Sequence, residues 1–262
     1  MKYRLAEDAK PQVVLLIIAT LLTVALWFVP YADYLVYPIR LFVTFIHESS
    51  HALVAFITGG TVQSLTIASD GSGVVYSAAA GWFSGLLTSS AGYLGTAIFG
   101  VFLLYLIRRS VSPRKILIGS GVFIALVTVV FGIVSPVFHV FSLQVAFSSI
   151  AFTVMAGIVL TAALLAIGKF ASLRYANFAV AFLAIQCLLN SLSDLKTVFF
   201  INAPFVGSDI QNDASNMAAA TGIPGVVWVV IWICISVVLI SLGLRMYAVA
   251  AGSKSTASVF DD

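Results

Sequence analysis

Seven runs of apolar residues, each about as long as a bilayer is thick, leave this chain few folds to choose from. They fall at roughly 12–29, 38–58, 82–107, 115–136, 143–168, 176–200 and 224–248. A helix needs about 20 apolar residues to cross the hydrocarbon core, and a helix satisfies its own backbone polar groups there. With 61% hydrophobic and only 9% charged residues, the chain reads as an all-α polytopic membrane protein of about six to seven transmembrane helices. It is expected to form a single integral-membrane domain over 1–262. Lys2, Arg4 and Lys10 precede the first run as in a signal peptide, but no small-residue cleavage site follows before Trp27-Phe28-Val29-Pro30. The first run is therefore expected to be a retained span. The run at 82–107 is long enough for a span plus a re-entrant piece.

One of these runs carries chemistry. Within the second run the chain reads His47-Glu48-Ser49-Ser50-His51. On a helix, residues four apart stand one turn above the other, so a single metal ion can reach both imidazoles. Glu48 lies beside them, close enough to hold a water against that ion. Two imidazoles as ligands and a carboxylate as general base is the arrangement of a zinc hydrolase. The chain has three histidines and two glutamates, so their convergence here is specific. A polar cluster inside an apolar run is also costly, about 2.5–3.5 kcal/mol for an unpaired ionisable group.

The rest of the chain supplies little competing chemistry. Cys187 and Cys234 lie in separate apolar runs without metal-type spacing and read as small apolar fillers. A net charge of +3, scattered along the chain, does not suggest a nucleic-acid partner. Residues 61–79 change character, with two β-prone segments around Asp70-Gly71-Ser72-Gly73. They predict a hairpin at the membrane surface. Gly81, Gly85, Gly92, Thr96 and Gly100 lie at helical spacing and suit close helix packing. Arg108-Arg109 and Arg114-Lys115 bracket the next turn as interfacial anchors, and His139 falls in a short connection. A polar loop is expected from about 202 to 221, then Gly222-Ile223-Pro224 opens the last span. Residues 252–262 are small and polar, as in a disordered tail.

A catalytic zinc needs three protein ligands and an open position. The extended pattern with a third histidine would need Gly at 54 and His at 57, where the chain has Val54 and Ile57. No glutamate follows Glu48. His139 or an aspartate remains. Asp194, in the polar series Asn190, Ser191, Ser193, Asp194 within the sixth run, is the one aspartate inside an apolar run and the first candidate. Asp213, which begins a segment that could fold back into the bundle, is second, and Asp209 third. Asn190, one turn above Asp194, is a candidate for binding the substrate backbone.

These residues resemble the site-2 protease family of intramembrane zinc metallopeptidases, in its short bacterial-type branch without a PDZ domain. The resemblance runs through His47–Gly60, Ser90-Ala91-Gly92-Tyr93-Leu94-Gly95, Ser191-Leu192-Ser193-Asp194-Leu195, Asp213-Ala214 and Thr221-Gly222-Ile223-Pro224. It implies Zn2+ held by two histidines and a distant aspartate. The implied reaction is peptide-bond hydrolysis within or near the transmembrane segments of membrane-protein substrates, in a bacterial-type plasma membrane. Better-known members place that aspartate in an Asp-Gly pair, whereas Asp194 precedes Leu195, so Asp194 and Asp213 both stay open.

Orientation divides the two lines of reading. With seven simple spans, Lys and Arg split four against nine, and the positive-inside rule puts the C-terminus in the cytoplasm. The resemblance implies a motif helix running toward the cytosol instead. A rival function is a metal-ion or proton transporter lined by His47, Glu48, His51 and Asp194, since intramembrane ionisable groups mark such paths. Clustering at one depth rather than as a ladder speaks against it. A catalytically idle scaffold would need no Glu48.

Overall fold

The computed structural model describes residues 10–26, 29, 31–140, 146–202 and 211–248. In chain order these form α1 (Lys10–Leu26), α2 (Ala32–Ile57), β1 (Thr61–Ile67), β2 (Gly73–Ala78), α3 (Trp82–Arg108), α4 (Pro113–Val127), a π-helical segment (Thr128–Val134), α5 (Ser135–Phe138), α6 (Phe147–Phe170), α7 (Leu173–Ile201), α8 (Asp213–Thr221) and α9 (Gly225–Ala248). The expected tail at 252–262 and Asp209 lie outside the described residues.

Five helices among the described residues are long and apolar enough to cross a membrane: α3, the continuous rod Pro113–Phe138, α6, α7 and α9. The chain is an integral membrane protein. Five is fewer than the six to seven expected, and the difference has a cause. The first run is described as a helix of 17 residues, and α2, at 26 residues, carries Arg40 and the His-Glu-x-x-His motif in the stretch that would count as a span. The functional residues dilute the apolar signal. The 82–107 run is one unbroken helix, α3, with no re-entrant piece.

α3 is the central post. It runs antiparallel to α2: the Thr58 and Ser84 hydroxyls are 2.7 Å apart at one end, and Phe42 meets Phe99 at 6.0 Å toward the other. It runs antiparallel to α7, where the buried Ser191 hydroxyl donates to the Tyr93 carbonyl at 3.0 Å and Leu188 fills the space left by Gly100. It runs parallel to α9, where Trp232 Nε1 donates to Ser90 Oγ at 3.1 Å and Gly243 admits Val101. Small residues on α3, and Gly243 on α9, therefore let these helices approach closely.

A two-stranded hairpin forms over the residues from which the sequence predicts one. β1 and β2 pair antiparallel, with a register shift between Val62 and Ser64. The turn is closed by Gly71, at φ 83°, and by Asp70 Oδ1, which accepts from the Ser72 amide at 2.8 Å and the Ser72 hydroxyl at 2.6 Å. These bonds hold the Asp70 carboxyl below its usual range. The ribbon runs back along α2: Thr44 Oγ1 donates to the Gly71 carbonyl at 2.9 Å and Tyr37 to that of Ser69 at 2.7 Å. β1 is pinned on its other side, where Thr153 Oγ1 of α6 accepts from the Ile67 amide at 2.7 Å. β1 is thus enclosed, and Val74 and Ala78 of β2 remain exposed.

Between α7 and α9 the structure departs from expectation. Part of the predicted polar loop is α8, a helix of 9 residues. Its start is written locally. Asn212 Oδ1 accepts from the amides of Ala214 (3.0 Å) and Ser215 (3.1 Å), while Ser215 Oγ accepts from the Asn212 amide at 2.8 Å. This reciprocal cap fixes the helix origin. Its far end is held by Trp82 Nε1, which donates to the Ala220 carbonyl at 2.8 Å, and by Gly222 in the left-handed region.

Candidate metal centre

Helical spacing stacks His47 and His51 with their rings 4.9 Å apart and their Nε2 atoms 3.1 Å apart. α8 brings a third group. Asp213 Oδ2 lies 3.3 Å from His51 Nε2 and 3.7 Å from His47 Nε2. The three residues form the one His/Cys/Asp/Glu group of this kind among the described residues. A tetrahedral ion with bonds of about 2.0–2.1 Å holds its ligand atoms roughly 3.3–3.4 Å apart. The three observed separations bracket that value.

Three further features suit an ion. His51 Nδ1 donates to the Thr88 carbonyl at 2.6 Å, which leaves Nε2 with its lone pair toward the centre, the tautomer a metal ligand needs. A Cβ on Gly92 would fall on the Nε2 atoms of both His47 and His51, so α3 leaves open the space into which both imidazoles point. Burial works against the charge of Asp213, and a cation held between its carboxylate and the two imidazoles would offset that cost. The N-terminus of α8 also favours an anion there. The donor set fits zinc.

Of the two aspartates weighed from the sequence, the structure brings Asp213 to the histidines and leaves Asp194 out. Asp194 stands on an exposed face of α7, in a cleft with Arg40 and Asn190 that reaches His47 from the side away from Asp213. This geometry favours Asp213 over Asp194, the first candidate from the sequence: an aspartate within an apolar run need not point at the motif. Asn190 is half-buried and donates to the Gln186 carbonyl (2.9 Å) and side chain (3.2 Å) of its own helix. His139 Nδ1 donates to the Ser135 carbonyl at 2.8 Å, far along the chain from the motif.

Glu48 is buried on the other flank of His47, facing the start of β2. A Cβ on Gly73 would meet Glu48 Cγ at 2.6 Å and Oε1 at 2.7 Å, so a glycine is required for the strand to pass over the carboxylate. Two clefts meet at the centre. One, of about 480 Å³, is walled by β2 (Val74, Val75, Ser77), α3 and the start of α8. The other, of about 390 Å³, is walled by Arg40, Thr44, the hairpin turn and α7. His47, Glu48 and Tyr93 line both.

Residues that the sequence did not single out support the centre. Tyr93 sets its ring edge-on to His47 at 4.7 Å and directs its hydroxyl at Asp213. Trp232 packs on Tyr93 at 5.5 Å. Thr88 Oγ1 is buried in the first cleft without a partner among the described residues. Asn212, which caps α8, is held in turn by Asn202 Nδ2 at 3.1 Å. The Asn212-x-x-Ser215 pattern was legible as a helix start.

A family model described as Peptidase M50B-like matches residues 16–243. Neither a curated protein nor a solved structure gives a significant match.

Proposed function

Because the chain belongs to the Peptidase M50B-like family, that of the site-2 proteases, we propose that it is a zinc endopeptidase cutting within or near the membrane-spanning segments of other membrane proteins. The observation that carries the proposal is the convergence of His47, His51 and Asp213 at ligand distances, with Glu48 beside them at the meeting of two clefts. In this reading His47, His51 and Asp213 hold the metal, and Glu48 is the general base. When bound, zinc supplies a lowered pKa for the attacking water and polarises the substrate carbonyl.

The chain's own residues do the rest. Glu48 takes the proton from the attacking water and returns it to the departing amide nitrogen. The unpaired Thr88 hydroxyl, one turn from Gly92, is available to a substrate backbone group. Substrate lies extended in the first cleft against β2, whose residues line that wall, and strand addition supplies main-chain hydrogen bonds. Asn190, on the wall of the second cleft, holds substrate backbone beyond the scissile bond. A helix must unwind locally to fit, which restricts substrates to segments that tolerate unwinding. The transporter reading gains nothing from this geometry, since the ionisable groups gather at one centre.

The test uses the full chain in detergent or lipid. Glu48→Gln should retain bound zinc by elemental analysis and lose cleavage of a transmembrane substrate on the order of 10²–10⁴-fold. A variant that binds zinc and still cuts at the parent rate would refute the general-base role. Metal flux in proteoliposomes without any cleavage would favour transport instead.

A further inference from the structure

Four cations gather at one corner of the bundle, well away from the metal centre. Arg114 and Lys115 stand in the first turn of α4, Lys169 in the last turn of α6 and Arg174 in the first turn of α7. Two connections that are distant in sequence meet there: Arg114 Nη2 donates to the Ala171 carbonyl at 3.1 Å, and Gly168 packs on the Arg114 backbone. All four side chains are exposed. None pairs with a carboxylate among the described residues, and the connections at 109–112 and 171–172 hold no acidic residue. Arg109, in the first connection, donates instead to Tyr105 at 2.9 Å.

Their placement runs against the helix dipole. The first turn of a helix is already positive and favours acidic side chains, yet those of α4 and α7 carry three cations and no acid. Like charges around one backbone contact also repel. An anion from outside the chain would relieve both costs. The cluster is local rather than a general basicity of the chain. Arg40 stands on the wall of the second cleft, and Lys196 lies about 33 Å along α7 from Arg174. Ser191, which meets the backbone of Tyr93 beside the metal centre, is about 26 Å along the same helix.

Next to the charges the surface is apolar. Ile118 of α4, Leu165 and Phe170 of α6, and Leu173 and Tyr175 of α7 are exposed, and the helices that carry them are long and apolar enough to cross a membrane. Lys169 Nζ sits 5.3 Å over the Phe170 ring. Cations and aromatic rings at the ends of spans belong where headgroups meet acyl chains. We propose that this corner binds an anionic phospholipid, with its phosphate among Arg114, Lys115, Lys169 and Arg174 and its acyl chains along α4 and α6. Arginine suits the role, because its planar fork matches phosphate oxygens, and basic clusters beside spans attract anionic headgroups. A zwitterionic headgroup brings its own ammonium to the phosphate and gains less from four cations. The site is independent of the metal centre and of the reaction carried out there.

The test pairs Lys115→Gln with Arg174→Gln, which leaves the Arg114 contact with Ala171 in place. The full chain, purified in mild detergent, is titrated with phosphatidylglycerol or with phosphatidylcholine of the same acyl chains and read by native mass spectrometry. The parent should retain phosphatidylglycerol in preference. Each cation near anionic headgroups contributes about fivefold in binding, so the double variant should bind phosphatidylglycerol roughly 30-fold more weakly. Its binding of phosphatidylcholine should not change. Lys115→Gln alone, at an exposed position, should weaken phosphatidylglycerol about fivefold, and it carries the test if the double variant does not fold. Thermal unfolding gives a second readout: phosphatidylglycerol should raise the parent's midpoint more than phosphatidylcholine does, and the gain should shrink in the variants. Inorganic phosphate and glycerol 3-phosphate supply the charge without the chains. Protection by them equal to that by the lipid would make this a site for free phosphate and overturn the proposal. Equal retention of the two lipids by the parent, or equal phosphatidylglycerol binding by parent and variants, would overturn it as well.

Discussion

Asp194 and Asp213 look alike on paper and are placed differently. Asp194 sits in a 29-residue helix, α7, built from apolar sequence. Asp213 opens a helix of 9 residues in a polar stretch. Membrane energetics favours the first as functional, because a carboxylate among apolar residues is expensive. Yet a position on a long packed helix is fixed by the packing of the whole rod, and α7 packs on α3 through Leu188 and Ser191. That register turns Asp194 into the second cleft, toward Arg40. The short helix has no such constraint. Its cap sets its origin, and its first residue, Asp213, stands within reach of both imidazoles.

The comparison breaks most plainly at the ligands themselves. Asp213→Ala should abolish both stoichiometric zinc and cleavage, whereas Asp194→Ala should retain zinc at full stoichiometry. Elemental analysis of the two purified variants checks this directly. Zinc lost from the Asp194 variant and kept by the Asp213 variant would reverse the assignment.

A substitution that touches no ligand sharpens the same point. Gly92→Ala places a methyl group on the Nε2 atoms of both histidines. It replaces glycine by a better helix former, so the folded state should survive. Zinc binding should fall to near background while thermal unfolding in detergent stays close to the parent without metal. Retention of zinc would mean that the ion does not occupy the space in front of Gly92.

How much of this was legible follows from where each signal is stored. The motif was readable because His47, Glu48 and His51 lie within one turn and a half, where helical period alone fixes their geometry. The hairpin was readable because Asp70-Gly71-Ser72-Gly73 carries turn chemistry between β-prone segments. The approach of Asp213 was not, since 162 positions separate it from His51 and only the tertiary path of α7, α8 and α9 joins them. α8 itself was read as loop because its residues, Asp213 through Thr221, are small and polar. The cap at Asn212 and Ser215 was the local clue, and weighing it against the apolar context of Asp194 would have favoured Asp213, the aspartate that approaches the histidines. The span count was high for the opposite reason: α2 spends its polarity on the site.

That cap offers a smaller test. Asn212→Ala removes the acceptor for two α8 amides, a loss of about 1 kcal/mol at a helix start. Asp213 would then be less firmly held, and partners that orient a ligand typically contribute 10–100-fold in metal affinity. Zinc titration should show a weakened site with unchanged stoichiometry, partly rescued by Asn212→Asp, which keeps an N-cap acceptor. Equal affinity for Asn212→Ala and the parent would separate the cap from the centre.

The smallest effect is expected in the second cleft, where Asn190 donates to its own helix and is only half-buried. One neutral hydrogen bond to substrate contributes about 1 kcal/mol, so Asn190→Ala should raise KM by roughly 5-fold and leave kcat and zinc unchanged. The split matters more than its size. A fall in kcat with KM constant would put Asn190 at the reacting centre and make the second cleft a partner of the first. No change in either would leave β2 and α8 to bind the substrate alone, and the role of the Arg40–Asp194 side would then be confined to the bundle. In both outcomes the two aspartates keep their contrast, because neither result depends on which of them holds the metal.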